Sequence, residues 1–204
     1  MDIPSKYVDQ AVEAFHQLPG VGRKTALRLV LHLLRQDTQE VQRLAERIQA
    51  LKEKVYRCRL CNNVSDAACC EICQDSRRAT GVICIVEDLR DVIAIENTHQ
   101  FQGRYHVLGG LIAPMEGVGP SDLSIDRLMQ RLEPEAIEEA IFALSATMEG
   151  DTTSFYIGRK LQEHGVRLST ISRGVAVGGE LEYVDEVTLG RSIQHRVPYH
   201  LRSQ

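Results

Sequence analysis

The sequence predicts a multi-domain α and α/β chain, helical at its N-terminus and α/β with a mostly parallel sheet in its larger C-terminal part. Three observations predict it. Apolar residues recur at helical spacing in three stretches before residue 56. Five cysteines then crowd into the sixteen residues from Cys58 to Cys73. From Gly81 onward, short apolar runs alternate with helical patterns, as strands joined by crossover helices do.

The first helix is expected over 7–17, with Val8, Val12 and Phe15 on one side. Leu18-Pro19-Gly20-Val21-Gly22 ends it, because proline and paired glycines are costly inside a helix. A second helix from Arg23 to Arg35 sets Ala26, Leu27, Val30, Leu31 and Leu34 at helical spacing. A third runs from Thr38, a candidate N-cap, to Val55, with Val41, Leu44, Ile48, Leu51 and Val55 in one stripe. The cysteine segment is too polar to have a core of its own. Val82 to Val86 is continuously apolar, as in a strand buried on both faces. Further strands are expected at Tyr105–Leu108, Ala140–Leu144 and Val166–Ile171, and helices at 89–97, 124–131 and 151–164. The tail from Ser172 is glycine-rich, then helical near Asp185–Gln194.

The chain is 43% hydrophobic and 25% charged, the balance of a globular protein. No apolar run approaches the ~18 residues of a membrane span. Residues 1–7 lack the basic-then-apolar order of a secretory signal, so a cytoplasmic location is expected. The net charge of −4 is unevenly spread. Residues 1–57 hold ten Lys/Arg against seven Asp/Glu, whereas residues 81–204 hold eleven against eighteen. A basic end beside an acidic end suits a DNA-contacting segment joined to a protein-binding domain, with ordinary scatter of surface charge as the rival reading.

In a reducing compartment, clustered cysteines bind metal more often than they pair. Cys58-x-x-Cys61 and Cys70-x-x-Cys73 form two knuckles that offer the tetrahedral four-sulfur set zinc prefers. Four thiolates leave no position for water, so one structural Zn²⁺ per chain is expected, supplying folding energy the missing core does not. Cys69 makes the register ambiguous, but only Cys70 completes a CxxC spacing. Cys84 lies in the apolar run at 82–86 and reads as core.

Between the first two helices, Gly20 and Gly22 let backbone N–H groups approach a phosphate, and the positive end of the second helix faces the same point. Arg23, Lys24 and Arg28 are the candidate cations, with Lys24 and Arg28 four apart on one face. The stretch resembles a helix-hairpin-helix, which holds the DNA backbone without reading sequence. A phosphate-binding loop for nucleotides would need glycine immediately before Lys24 and a preceding strand; Arg23 and a helix stand there instead. A plain interhelical turn with solvated basic residues is the alternative.

The first strand ends in Glu87-Asp88, at the edge where open α/β sheets collect ligands. A solvated strand end and a protein-binding edge fit that pair equally. Further along stand Tyr105-His106-Val107-Leu108-Gly109-Gly110, then Gly117-Val118-Gly119-Pro120-Ser121-Asp122-Leu123, then Gly178-Gly179-Glu180-Leu181-Glu182-Tyr183-Val184-Asp185-Glu186. With the hairpin, the cysteines and Glu149-Gly150, these stretches resemble the RecR family of bacterial recombination proteins, in the same order and over nearly the whole chain. The departure is Val175-Ala176-Val177, where the family usually has Ile/Leu-Pro-Val.

The resemblance implies a helix-hairpin-helix DNA-binding domain over 1–56, a four-cysteine zinc finger over 57–80, a Toprim domain over 81–176 and a C-terminal oligomerisation arm over 177–204. It implies a non-catalytic mediator that acts with RecO, and in many bacteria RecF, to load RecA onto single-stranded DNA at the nucleoid. It also implies homo-oligomers, as dimers or tetrameric rings. Metal-dependent Toprim enzymes carry Asp-x-Asp at the end of a later strand; the matching stretch here, Leu144-Ser145-Ala146-Thr147-Met148-Glu149-Gly150, lacks it. The acidic edge of Glu87, Asp88 and Glu149 would then face a basic partner protein.

Overall fold

A computed structural model describes residues 3–198; the last six positions of the expected C-terminal arm, 199–204, lie outside the described residues. The chain divides into two compact units, residues 1–55 and 56–204.

The first unit has three helices. Helix α1, Lys6–His16, is capped by the Ser5 hydroxyl, which accepts the Val8 N–H. Helix α2, Arg23–Leu33, follows a turn in which Gly20 adopts φ +79, a conformation that only glycine takes without strain. Val12, Ala26 and Val30 are buried between α1 and α2, with Val8, Phe15, Val21 and Leu27 packed around them. Helix α3, Thr38–Lys54, is capped by Asp37 rather than by Thr38; the Asp37 carboxylate accepts the Glu40 N–H at 2.8 Å. The expected stripe on α3 forms, yet Leu44, Ile48 and Leu51 remain 40–62% exposed.

The second unit opens with a small cysteine module: strands β1 (Tyr56–Arg57) and β2 (Val64–Ser65) pair antiparallel, and α4 (Glu71–Gln74) follows. These short elements carry no pattern long enough to read in advance. The sheet then comprises β3 (Val82–Val86), β4 (Arg104–Val107), β5 (Glu139–Ala143) and β6 (Arg167–Thr170), in the order β4-β3-β5-β6. Every pairing in it is parallel.

Alternation along β3 feeds two cores. Ile83 and Ile85 pack with Leu108, Leu128, Phe142, Ile157 and Leu161 on one face, covered by α6 (Ile125–Met129) and α7 (Met148–Gln162). Cys84 and Val86 pack with Val92, Tyr105 and Val107 on the other face, covered by α5 (Leu89–Glu96). Burial on both faces is the reason the strands read as apolar runs. Helix α7 begins three residues before its expected start because the Thr147 hydroxyl accepts the Gly150 N–H and caps it there. Helix α8, Glu186–Gln194, is capped by Asp185 and closes the described fold.

Candidate metal centre and nucleic-acid interface

The two CxxC segments converge. The sulfurs of Cys58, Cys61, Cys70 and Cys73 all lie within 4.8 Å of one another, and all four residues are buried. A tetrahedral site with metal–sulfur bonds of about 2.3 Å sets its sulfurs about 3.8 Å apart, so the cluster has the dimensions zinc requires. The first knuckle closes when the Asn62 N–H donates to the Cys58 carbonyl at 3.0 Å, with Asn62 in the left-handed region at φ 62. The second delivers Cys70 at the N-cap of α4 and Cys73 within it, while the Cys70 N–H points to the Cys58 sulfur at 3.3 Å.

Burial and mutual repulsion oppose four thiolates at this spacing without a cation. The Cys61–Cys70 thiol contact at 3.5 Å accordingly lowers the pKa of Cys70 and raises that of Cys61. The donor set therefore fits a bound divalent ion. Cys69 lies outside the four, half-buried, with its sulfur toward the Cys70 carbonyl at 3.9 Å.

On the helical unit, Lys24 and Arg28 are exposed on α2 and line one shallow cleft with Leu27, Leu31, His32 and Arg35. The basic face is thus longer than the pair singled out in the sequence; His32 continues its four-residue spacing. Gly20 and Gly22 lie exposed in the turn before α2, and neither has an atom within 4 Å of where a Cβ would sit, so their backbone is open to approach. Arg23 is turned elsewhere. Its guanidinium pairs with Asp9 at 3.1 Å and Glu13 at 3.3 Å, fastening α2 to α1.

At the sheet edge, Asp88 is largely occupied by the backbone. It caps α5, accepting the Arg90 N–H at 2.7 Å, and binds the Arg90 guanidinium, which holds its carboxyl below the usual range. Asp91, unremarked in the sequence, accepts the Glu87 and Asp88 N–H groups at 3.0 and 3.1 Å, completing a capping box. Glu87 is pushed up by burial and then by the Asp91 and Asp88 charges. Ser145, on the neighbouring strand end, reaches it at 3.5 Å. Glu149 is exposed in the first turn of α7, lowered by backbone N–H and Thr147 hydrogen bonds. Where metal-dependent chemistry would need opposing carboxylates there are Ser145 and Thr147. Among the described residues, the four cysteines are the one group of three or more ligating side chains that converges. Gly150 is demanded by packing, since a Cβ there would meet the Ser145 carbonyl oxygen at 1.9 Å.

Comparison with known proteins places these parts in one lineage. Residues 8–52 match the family described as RecR, helix-hairpin-helix; residues 81–172 match the Toprim domain; residues 174–197 match RecR, C-terminal. The recombination protein RecR of Bacteroides thetaiotaomicron is 57% identical over 193 residues, covering 95% of this chain and 94% of that protein. That of Amoebophilus asiaticus is 54% identical over 98% of this chain and 100% of its own length, and that of Flavobacterium johnsoniae is 53% identical over 98% and 97%. No described helix is long and apolar enough to cross a membrane. With likeness at this level running through hairpin, sheet and tail in one order, the chain belongs to the RecR family.

Proposed function

We propose that this chain is a non-catalytic recombination mediator in DNA repair. It binds DNA without sequence preference and acts with RecO, and with RecF where present, to load RecA onto single-stranded DNA. The observation that carries the reading is the basic face of α2 beside an open glycine turn, on a chain whose net charge is −4. The relatives' name, recombination protein, supports the same reading. In it, Lys24 and Arg28 hold phosphates and the Gly20 and Gly22 backbone approaches them. Arg23 joins them only if it leaves Asp9 and Glu13.

The cysteines hold one structural Zn²⁺ per chain. The acidic edge, with Glu87 and Glu149 foremost and Asp88 partly occupied by Arg90, meets a basic partner protein. Apolar side chains exposed on the C-terminal segment, among them Leu181, Tyr183, Val187 and Ile193, suit a homo-oligomer, as does the uncovered stripe of α3. The proposed divisions are 1–56, 57–80, 81–176 and 177–204, and the proposed place of work is the cytoplasm at the nucleoid.

The test is RecA assembly on single-stranded DNA already coated by its binding protein, with RecO present. The chain is expected to accelerate assembly, and Lys24→Ala/Arg28→Ala to remove most of the acceleration. Glu87→Gln is expected to leave DNA cleavage and relaxation at the buffer background. Mg²⁺-dependent cleavage that disappears in Glu87→Gln would overturn the mediator reading in favour of a Toprim enzyme.

A further inference from the structure

Strand β4 is bonded to β3 on one side and lies at the edge of the sheet. In a parallel strand alternate residues turn their backbone groups outward, here Gly103, Tyr105 and Val107. The outward Val107 N–H donates to the Cys61 carbonyl at 2.8 Å, and the Val107 carbonyl accepts the Asn62 side-chain amide at 2.9 Å. Arg131, only 3% exposed, donates to the Tyr105 carbonyl at 2.7 Å. Arg78, on the segment that leaves the cysteine module, donates to the Gly103 carbonyl at 3.1 Å, and the Ala79 N–H donates to the Gln102 carbonyl at 3.0 Å. Arg127 fastens the same knuckle, donating to the Cys58 carbonyl at 3.2 Å and the Asn62 side-chain oxygen at 3.3 Å. Ile72 of α4 packs against both the cysteine cluster and the core beneath β4.

An uncovered edge strand is a template for strand addition, and proteins cover such edges by design. The cover here is a segment without a core of its own, shaped by four sulfurs. We propose that the metal-held cysteine module is the edge cap of the parallel sheet, and that metal release frees β4 to pair with β4 of a second copy of this chain. The inference rests on reading the four cysteines as a metal site. A second copy is the matching occupant because the outward N–H and C=O groups at Tyr105 and Val107 complement themselves in a two-fold antiparallel pair. Metal would then govern self-association through an edge the basic face of α2 does not share.

The test uses the full chain. Bound metal is first quantified, then removed with a chelator under reducing conditions, and Zn²⁺ is returned as a control. Hydrogen exchange is followed at β4, β5 and α7, with molar mass from light scattering. Removal is expected to speed exchange at Val107 about tenfold or more, to leave β5 and α7 protected, to raise the mass above the metal-loaded value, and to reverse with Zn²⁺. Asn62→Gly keeps the left-handed turn and all four ligands but loses the side-chain bond to Val107. It is expected to bind one metal per chain and still exchange faster at β4. The cap is overturned if β4 stays protected without metal, if β5 and α7 open in step with it, if mass is unchanged, or if Asn62→Gly exchanges like the parent. Metal bound but without influence on β4 defeats the cap alone; purified chain that neither contains nor takes up metal defeats the metal reading as well.

Discussion

Cys69 and Cys70 are neighbours in sequence with opposite surroundings, one half-buried and turned away, the other inside a cluster of four sulfurs. Replacing Cys70 with Ser is therefore expected to abolish metal binding and give poorly soluble protein, since the folding energy of the module comes from its ligands. Cys69→Ser should retain one metal per chain by elemental analysis. His106 offers a second test. Its ring is buried, with Nε2 2.7 Å from the Ser124 carbonyl and Nδ1 3.1 Å from the Arg131 guanidinium, and burial followed by the Arg131 charge drives its pKa down to about 3. The folded state thus resists a proton that the unfolded chain accepts near pH ~6.5. Stability is full above that pH and falls by about 1.4 kcal/mol per unit as pH drops from ~6 toward ~4.5, before the carboxylates titrate. Denaturant melts of the parent and His106→Gln check this; the variant should lose most of that slope, and equal slopes would contradict it. At this scale the metal ligands were legible because CxxC spacing is local. Asn62, Arg127 and Arg131 were not, because what they do depends on partners 25 to 69 residues away in the chain.

Helices and strands with long apolar periods could be read from sequence almost to the residue, as with β3 over Val82–Val86. The misses are where a cap or a fold-wide partner decides: Thr147 starts α7 early, and the module's strands are two residues each. The acidic strand end was visible, but not that Asp88 and Asp91 serve the start of α5. Nor did the pattern show the buried ion network after α6. There Glu135 binds Arg131 at 2.6 Å and Arg104 at 3.2 Å, and its carboxyl is kept below the usual range by those two cations despite burial, which alone would raise it. Glu135→Gln leaves two largely buried guanidiniums without a counter-charge and is expected to cost about 3 kcal/mol in chemical denaturation. A change under about 1 kcal/mol would mean that solvent reaches the network.

For the whole molecule, the contrast between a basic N-terminal segment and an acidic remainder was already written in the charges, whereas Arg23's pairing with α1 was not, since Asp9 and Glu13 are on another helix. With an unhelpful net field, DNA binding has to come from local contacts, few per chain, and an oligomer that sets several α2 faces on one DNA gains by effective concentration. Changes that separate subunits should therefore weaken binding as much as Lys24→Ala. The most direct test of the account is the slope of log affinity against log salt on two unrelated duplexes, for the parent, Lys24→Ala, Lys24→Ala/Arg28→Ala and, as a control on α7, Lys160→Ala. Each phosphate contact contributes about 0.9 to that slope. The account predicts that Lys24→Ala flattens it by about one unit per bound subunit, that the double variant flattens it further, equally on both sequences, and that Lys160→Ala leaves it alone. Unchanged affinity and slope in the double variant would contradict it and leave the hairpin a structural turn.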